Sequence, residues 1–501
     1  MSEAVRVGSP ARTVVRLRLR VSLSTLVIGS LAIAAGVYYA VCGLLIHYSF
    51  HSYGWDLGIF DQVLWSIGHG YGFHYSFRDM WYLGDHFQPV LVLLVPLIWL
   101  RLGPGPLLVV QGLSFGAAVI PLFAATRRLG GSTAAWALSA AYLLSLAVAR
   151  ADSYDFHPEC FVPVLAFTAL WGLAAGRPAV FAAATLALLP VKEDMVFLVL
   201  GLCWVSWLGF GQRRPAQWIA LGSVAYLAVI SLAVMPLFNH GNSNPLIERY
   251  PYLGHTPGSI FLHAIIRPDL IADHLWGADT PRTLLYLFAG AGFLPLFRPK
   301  LLPPLLLLLL PPLLAVNTQQ QLLELHYGVV PYTYAFIVAA LALESGYLRS
   351  LLARARIALP SARLALPGVA VFLAVALFAW KSPLPPSFAA NSDQFTIDHH
   401  SDVARSFVDM VPGDAIVSAQ ANFVPHLSER YDIFEFPRIS KATYLLVDDK
   451  RGVPGYDQPA YASCRALIPS FGFHLVRQED GIQLWQRSAD DAATYGSAGC
   501  G

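Results

Sequence analysis

The fold is decided by the stretch Tyr53-Gly-Trp-Asp-Leu-Gly-Ile-Phe-Asp-Gln62. It follows the first long apolar segment and places two carboxylates, Asp56 and Asp61, among aromatic residues and glycines. A second acidic group, Asp85-His86, follows in the same polar segment. Charged side chains this close to a bilayer are costly and are usually kept for a function. The segment is therefore predicted to hold a reaction centre at the membrane surface.

The composition indicates a polytopic membrane protein. Of the 501 residues, 56% are hydrophobic and only 13% are charged, whereas soluble domains carry about 25% charged residues. The net charge of +2 gives no indication of a nucleic-acid partner. The cysteines are scattered without metal-ligand spacing, which argues against a zinc ribbon or a disulfide framework. They are Cys42, Cys160, Cys203, Cys464 and Cys500.

The first helix fixes the predicted orientation. Residues 21–47 carry no charged side chain, and a spanning helix needs about 20 apolar residues. The basic segment 1–20 before it predicts a cytoplasmic N-terminus, because positive charge is retained inside. The loop 48–87 then lies outside, and Arg78 is its one basic residue. The arginines of the first segment are Arg6, Arg12, Arg16, Arg18 and Arg20.

The short apolar run 89–100 decides the remaining topology. We interpret it as a juxtamembrane or re-entrant helix; the alternative is a full crossing, which would invert every later loop. With no crossing there, the basic clusters all fall on the cytoplasmic side, in agreement with the positive-inside rule. The transmembrane domain 21–384 then has about 11 spans. The later spans are 105–126, 133–149, 160–176, 178–190, 195–211, 217–238, 283–297, 301–316, 328–346 and 366–380.

This topology places nearly every acidic cluster on one side of the membrane. A single site at the outer face would produce that arrangement, whereas the plainer interpretation is that the outer loops are simply longer. The clusters beyond the first loop are Asp152-Ser-Tyr-Asp155-Phe-His157-Pro-Glu159, Lys192-Glu193-Asp194, Glu248-Arg249-Tyr250 and Glu324-Leu-His326-Tyr327.

The two carboxylates of the first stretch are not equivalent candidates. Asp61 lies five residues after Asp56, so on a helix the two diverge by about 140° and only one need face a cavity. We prefer Asp56 as the working base and Asp61 as a cap or support. The alternative for Asp56 is a helix N-cap.

The second acidic cluster offers oxygen and nitrogen ligands. Asp152, Asp155, His157 and Glu159 supply four donors in eight residues, and carboxylates suit magnesium or manganese. Asp85-His86 is a further candidate for a divalent cation or a proton relay, or else a cap for the next helix.

Three later features favour a phosphate and a lipid. Lys192, beside Glu193 and Asp194, is predicted to hold a phosphate as a point charge, although an internal salt bridge is equally compatible. His326-Tyr327 is a candidate for a phosphate or sugar contact, or for an interfacial aromatic pair. Paired prolines at both ends of 301–314 indicate a bent helix bordering a lipid groove.

The last part of the chain has a different character. Short alternating runs predict a small α/β domain over 385–487 outside the membrane, with a hairpin turn at Gln478-Glu-Asp-Gly481. The segment Ser418–His426 follows the first predicted strand, where binding loops of open α/β sheets lie. Residues 488–501 are predicted to be a disordered tail.

Together these motifs resemble an uncharacterised family of predicted membrane proteins, domain of unknown function 2079. The resemblance covers about residues 30–487. The motifs that carry it are Trp55–Gln62, Asp85–Pro89, Asp155–Glu159, Lys192–Asp194, Arg249-Tyr250, His326-Tyr327 and Ser418–Leu427.

The family in turn resembles the GT-C superfamily of integral-membrane glycosyltransferases. This resemblance implies a polyprenyl-phosphate-linked sugar as donor, with Asp56 as the first-loop acid and Asp152 or Asp155 as the second-loop acid. It leaves the acceptor open. The expected function is glycosyl transfer at the outer face of the plasma membrane. The alternatives are a transporter or lipid flippase and a non-catalytic envelope assembly protein.

Overall fold

The structure is a computed structural model that describes residues 22–78, 80–241, 245–277, 279–355, 359–452 and 457–494. The chain is mainly helical, with a small sheet near its C-terminus. The arginines of segment 1–20 lie outside the described residues, so the orientation of the termini stays a prediction.

Within the described ranges, five helical stretches are long and apolar enough to cross a membrane. They are Leu23–Tyr48, Gly105–Asp152, Arg213–Phe238, Thr318–Ala342 and Leu364–Lys381. Gly131, with φ of 86°, breaks the second stretch, so the predicted spans 105–126 and 133–149 are joined by a sharp bend rather than a loop. Shorter apolar helices occupy several other predicted spans, and the number of crossings is therefore approximate.

The helices of this part follow one another closely. In chain order they are Leu23–Tyr48, Gly105–Ala117, Val119–Leu143, Leu146–Asp152, Phe161–Ala174, Pro178–Leu186, Met195–Phe210, Arg213–Val229, Met235–Phe238, Pro257–Ile266, Pro268–Gly277, Thr280–Gly290, Pro303–Leu314, Thr318–Gln321, Val329–Ala342, Ser345–Ala355 and Leu359–Lys381.

The run that decides the topology, Pro89–Leu100, is a 3-10 helix of 12 residues. At a rise of about 2 Å per residue it extends for about 24 Å, less than the roughly 30 Å of the hydrocarbon core. Val90, Leu91 and Leu94 are buried, and the helix packs against Ile59–Gly68 of the first loop. Its juxtamembrane placement stays a prediction.

The first two long helices are held together by small residues. Helix Gly105–Ala117 presents Gly112 and Gly116, four residues apart, to helix Leu23–Tyr48. A Cβ on Gly116 would lie 2.3 Å from the backbone oxygen of Ala32 and 2.6 Å from the backbone nitrogen of Gly36. Small residues at this spacing let two membrane helices approach closely. The contact fixes the helix that leads into the first loop.

We expect Gly116→Val to destabilise the protein by about 1–3 kcal/mol, because the added side chain overpacks a backbone contact. The midpoint of thermal unfolding in detergent measures this change. Gly29→Val on the first helix is the matched control, since a Cβ there meets nothing within 4 Å. Equal midpoints for both variants would contradict the close-packing interpretation.

The first loop contains the stretch Tyr53–Gln62. Gly54–Gly58 is one turn of π-helix and continues into helix Ile59–Gly68; a further turn covers Tyr82–Asp85. The segment Val424–His426 of the C-terminal domain packs on the π-helical turn. A Cβ on Gly54 or Gly58 would lie 2.9 Å from the Val424 side chain. Glycine is therefore required here for close packing of the loop against that domain.

The C-terminal domain is a five-stranded mixed sheet with helices. Its strands are β1 (Val417–Ala419), β2 (Ile433–Glu435), β3 (Tyr444–Asp448), β4 (His474–Glu479) and β5 (Ile482–Gln486), in the order β2-β1-β3-β5-β4. β1 is parallel to β2 and β3, whereas β5 is antiparallel to β3 and β4. Its helices are His399–Val408, Gln458–Ala466 and Ala489–Thr494.

Two sequence expectations for this domain differ from the structure. Helix Ala489–Thr494 lies within the segment predicted as a disordered tail, and residues 495–501 lie outside the described residues. Cys464 is disulfide-bonded, which its isolated position in the sequence did not predict.

Candidate active site

A cavity of about 340 Å³ lies between the first loop and the ends of several helices. Its wall combines acidic, basic and aromatic side chains from positions far apart in the sequence. The lining residues are Trp55, Asp56, Ile59, Phe60, Arg78, Tyr82, Asp85, His86, Gln88, His157, Lys192, Arg249, Asn317, His326 and Tyr327.

Asp56 and His157 form an ion pair in the cavity wall. The Nε2 atom of His157 lies 3.0 Å from Oδ1 of Asp56, and its Nδ1 lies 3.0 Å from the backbone oxygen of Asp155. Both partners are acceptors, so the geometry suits an imidazolium with two N–H donors. Burial opposes ionisation of both groups. Their mutual attraction outweighs burial, which lowers the pKa of Asp56 and raises the pKa of His157.

Asp155 positions the Asp56 segment rather than lining the cavity. Its Oδ2 accepts a hydrogen bond of 2.9 Å from the backbone N–H of Tyr53, at the start of the π-helical turn. Burial, and then the negative charge of Asp56, raise the pKa of Asp155 well above its ordinary value. The sequence predicted a catalytic role for Asp155; the structure places it behind the wall, attached to the loop backbone.

A second ion pair lies beside the first. The Nζ atom of Lys192 donates to Oε1 of Glu159 at 2.7 Å, and both side chains are almost completely buried. Burial opposes protonation of the lysine, but the charge of Glu159 outweighs it and raises the pKa of Lys192. The ring of His326 stacks on His157 with centroids 3.6 Å apart and joins the two pairs.

A narrower groove, apolar on one side, adjoins the cavity. Lys192, Arg249, His326 and Tyr327 line both spaces. The far wall of the groove belongs largely to the proline-rich helix Pro303–Leu314 and the start of Val329–Ala342, in agreement with the groove expected there. Its other lining residues are Glu159, Asp194, Met195, Phe197, Tyr250, Leu308, Pro311, Pro312, Gln320, Val330 and Pro331.

Two cations, Lys192 and Arg249, line both spaces, and Arg249 has fewer charged partners. Its backbone oxygen accepts from the N–H of Val316, and no carboxylate among the described residues forms a salt bridge with its guanidinium. The neighbouring Tyr250 donates from its hydroxyl to the backbone oxygen of Pro311 at 3.2 Å. Tyr250 therefore attaches this segment to the proline-rich helix and holds Arg249 at the groove.

Three further predicted groups, His86, Glu193 and Asp85, have close polar partners. Nδ1 of His86 lies 3.0 Å from Oε1 of Glu193, whose Oε2 accepts from the N–H of Phe87 at 2.9 Å. Oδ2 of Asp85 accepts from the hydroxyl of Tyr75 at 2.9 Å and lies 3.3 Å from Nε of Arg78. Burial opposes ionisation of Glu193, but the charge of His86 lowers its pKa to about 2.

Residues 46–454 match the family described as predicted membrane protein (DUF2079). The chain belongs to this family. The match confirms the family that the motifs indicated. No functionally curated protein has a significant match to the chain.

Several solved structures are similar to this DUF2079 protein. ArnT from Cupriavidus metallidurans bound to undecaprenyl phosphate is 14% identical, with 94% of this chain and 99% of that chain covered and a TM-score of 0.48. The oligosaccharyltransferase AglB from Archaeoglobus fulgidus, in complex with an inhibitory peptide and a dolichol-phosphate, is 13% identical, with 91% and 74% covered and a TM-score of 0.40. An Archaeoglobus fulgidus oligosaccharyltransferase with Zn and sulfate is 12% identical, with 92% and 73% covered and a TM-score of 0.43.

The predicted metal set is not assembled in this DUF2079 protein. Asp155, His157 and Glu159 are directed at the Tyr53 backbone, Asp56 and Lys192 respectively, and Asp152 is buried elsewhere, with no hydrogen bond to its Oδ2. Among the described residues, no three His, Cys, Asp or Glu side chains are grouped to hold a metal ion. The four residues do not fit a divalent cation, because Asp155, His157 and Glu159 each contact a different partner and Asp152 is not grouped with them.

Asp61 also lies outside the cavity. It is 2% exposed, and its Oδ2 accepts from the hydroxyl of Ser428 at 2.6 Å. From the sequence, Asp61 was predicted to cap or support the Asp56 segment. In the structure it lies between the first loop and the C-terminal domain. Burial, and then the charge of Glu429, raise the pKa of Asp61 to about 8.

This shift predicts a pH-dependent stability. The pKa of an unfolded aspartate is about 3.9, so between about pH 4 and 8 the folded state keeps a proton that the unfolded state has lost. Stability therefore falls as pH rises through this window. Asp61→Asn is expected to flatten the dependence and raise the unfolding midpoint at pH 8. Thermal unfolding in detergent measures it, with Asp269→Asn at an exposed site as control. A midpoint lowered at pH 8 in Asp61→Asn would contradict the assignment.

The segment Ser418–His426 does not form an open binding loop. Phe423 and Val424 are fully buried, and the ring of His426 stacks between Phe50 and His47 with centroids 3.9 and 4.1 Å away. This segment therefore attaches the C-terminal domain to the end of the first long helix, where His47 and Phe50 lie.

Sequence reasoning missed three polar members of the cavity wall. Arg78 is the most informative, because it faces Asp85 and lies over the Trp55 ring at 5.4 Å. Its position as the one basic residue of loop 48–87 could have identified it. Gln88 and Asn317 have no distinguishing pattern in the sequence.

Proposed function

We propose that this protein is a membrane glycosyltransferase that moves a sugar from a polyprenyl-phosphate donor to an acceptor hydroxyl at the outer face. The observation that carries the proposal is the cavity itself, which sets Asp56 and the cations Lys192 and Arg249 in one wall and adjoins a groove with one apolar side. The sugar part of the donor is what the motif resemblance implies.

The groove and the two cations suit the two ends of the donor. A polyprenyl chain can lie against Leu308, Pro311 and Val330, and its phosphate then reaches Arg249 and Lys192. A planar guanidinium matches phosphate oxygens in a bidentate geometry. Because Lys192 is already paired with Glu159, Arg249 is the principal phosphate ligand, and Lys192 contributes positive charge from behind.

In the proposed reaction the acceptor oxygen attacks the sugar carbon that carries the phosphate. The carbon–oxygen bond to the acceptor forms, the bond to the phosphate oxygen breaks, and the configuration at that carbon inverts. Arg249 and Lys192 stabilise the charge that develops on the leaving phosphate. Asp56 accepts a hydrogen bond from the acceptor hydroxyl and receives its proton late, once bond formation has made that proton acidic.

The pairing with His157 defines the role of Asp56. A general base works best with a pKa near the working pH, and the imidazolium holds the pKa of Asp56 below its ordinary value. Asp56 is therefore better suited to orienting the hydroxyl than to removing its proton early. The stacked His326 shields the pair from one side.

The test is donor binding. We expect undecaprenyl phosphate, titrated into the purified protein in detergent, to bind Arg249→Ala about 10–100-fold more weakly than wild type, because a charge-assisted hydrogen bond is lost. Arg267→Ala is the matched control, since Arg267 is exposed and pairs with Asp269. Native mass spectrometry on the same samples identifies any copurified lipid-linked sugar. Unchanged affinity in Arg249→Ala would favour the transporter or assembly alternatives. So would the failure of any lipid carrier to copurify with the protein from several expression hosts.

A further inference from the structure

A separate cavity of about 250 Å³ lies where three helices and the segment 318–328 meet. The helices are Leu146–Asp152, Thr280–Gly290 and Leu359–Lys381, and the last of them packs on the other two. None of its lining residues belongs to the wall of the candidate active site. The lining residues are Arg150, Arg282, Thr283, Tyr286, Leu322, Glu324 and Lys381.

The charged lining is mainly basic. Arg150 is 14% exposed and fixed in place, because its guanidinium donates to the backbone oxygen of Leu322 at 3.1 Å and lies 3.7 Å from Glu324. Arg282 forms an exposed pair with Asp279. Lys381 forms no salt bridge with any carboxylate in the part of the chain that the structure describes. Three cations and one carboxylate therefore line the space; Arg150 and Arg282 each have an acidic partner, and Lys381 is the cation without one among the described residues.

The cavity also borders the lipid-facing surface. Lys381 ends the last apolar helix, where Trp380 and Phe372 are 73% and 70% exposed. Leu285, on the neighbouring helix, is 53% exposed. Exposed aromatic residues beside a cation are typical of the level of lipid headgroups. In the predicted topology these cations lie on the outer side, whereas basic residues are usually retained on the cytoplasmic side. The positive-inside rule therefore does not explain them, and a specific anionic ligand does.

We propose that this cavity binds the phosphate of an anionic lipid in the outer leaflet. Basic pockets between membrane helices recognise lipid headgroups through charge, and two guanidiniums with an ammonium match a phosphate. A phospholipid and a polyprenyl phosphate present the same group here. The site shares no lining residue with the proposed donor groove. The proposal for this site therefore does not depend on the proposed glycosyl transfer.

The bound phosphate would act on the active site through segment 318–328. Leu322 and Glu324 line the lipid cavity, whereas His326 and Tyr327 line the candidate active site. In the same segment, Leu323 and Leu325 have φ of 49° and 52°, a conformation that side-chain-bearing residues rarely adopt. A phosphate held by Arg150 secures this strained segment because the Arg150 guanidinium is bonded to Leu322.

The experiment measures lipid retention by the full-length protein in detergent, using native mass spectrometry after exchange with phosphatidylglycerol, undecaprenyl phosphate or phosphatidylcholine. Lys381→Gln, at an exposed position, is expected to lower retention of phosphatidylglycerol about tenfold. Glu324→Gln is expected to raise it, and misfolding does not produce such a gain. Arg267→Gln, whose arginine is exposed in the preceding loop, is the control and should match wild type.

The lipid series identifies the source of the phosphate. Displacement of phosphatidylglycerol by undecaprenyl phosphate at equal concentration would assign the site to the carrier lipid, and retention of phosphatidylglycerol would assign it to bulk phospholipid; both support the proposal. Equal retention of phosphatidylcholine, or no change in Lys381→Gln together with no gain in Glu324→Gln, would overturn it. The Arg249→Ala donor assay is separate, so either proposal can fail alone.

Discussion

Replacing Asp56 by asparagine is expected to lower the rate of glycosyl transfer by about 10²–10⁴-fold, the contribution of a positioned acid–base group. The amide is nearly the same size as the carboxylate, but it cannot accept the acceptor's proton. It also removes the negative charge that keeps His157 protonated. Donor binding should be unchanged, because the proposed phosphate ligands are Arg249 and Lys192.

Two measurements separate this loss from a structural defect. Transfer is followed with the lipid-linked sugar that copurifies with wild type, and donor affinity is measured by the undecaprenyl phosphate titration. Asp155→Ala is the informative companion variant, because it removes the oxygen that accepts from the Tyr53 backbone N–H, and Asp155 does not line the cavity. It should lower thermal stability and transfer together, whereas Asp56→Asn should lower transfer alone. Full transfer activity in Asp56→Asn would show that the role assigned to Asp56 is wrong.

The candidate site was predictable from the sequence where a charged residue stands out against an apolar background. Asp56, Lys192 and Arg249 are conspicuous for that reason, and all three line the cavity or its groove. The class of fold followed from the same contrast, since long uncharged runs predict spanning helices. The family assignment followed from the order of these motifs and is confirmed by the match to residues 46–454.

Pairing could not be predicted, because it depends on which helix ends meet. His157 is 101 positions from Asp56, and Glu159 is 33 positions from Lys192. In the sequence, the run from Asp152 to Glu159 therefore looked like one metal site. In the structure its side chains point to different partners. The residues that flank Asp61 in the sequence are similar to those that flank Asp56. Asp61 nevertheless contacts Ser428, in a domain that begins more than three hundred residues later.

The Glu159–Lys192 pair carries the largest expected effect on stability. We expect Lys192→Ala to destabilise the protein by about 3–5 kcal/mol, because it leaves Glu159, which is 3% exposed, as an uncompensated buried charge. The unfolding midpoint in detergent should fall accordingly. A loss of donor binding in this variant would then report mainly on folding, so Arg249→Ala is the cleaner probe of the phosphate site.

The double variant Lys192→Met with Glu159→Gln separates the two roles of the lysine. Removing both charges of a buried pair is often nearly neutral for stability, whereas removing one is not. We therefore expect the double variant to recover most of the lost unfolding midpoint while donor affinity stays reduced, because the positive charge behind the phosphate is still missing. Recovery of both stability and donor affinity would mean that Lys192 serves only to neutralise Glu159. A single Lys192→Ala variant as stable as wild type would show that Glu159 has another buried partner or takes up a proton.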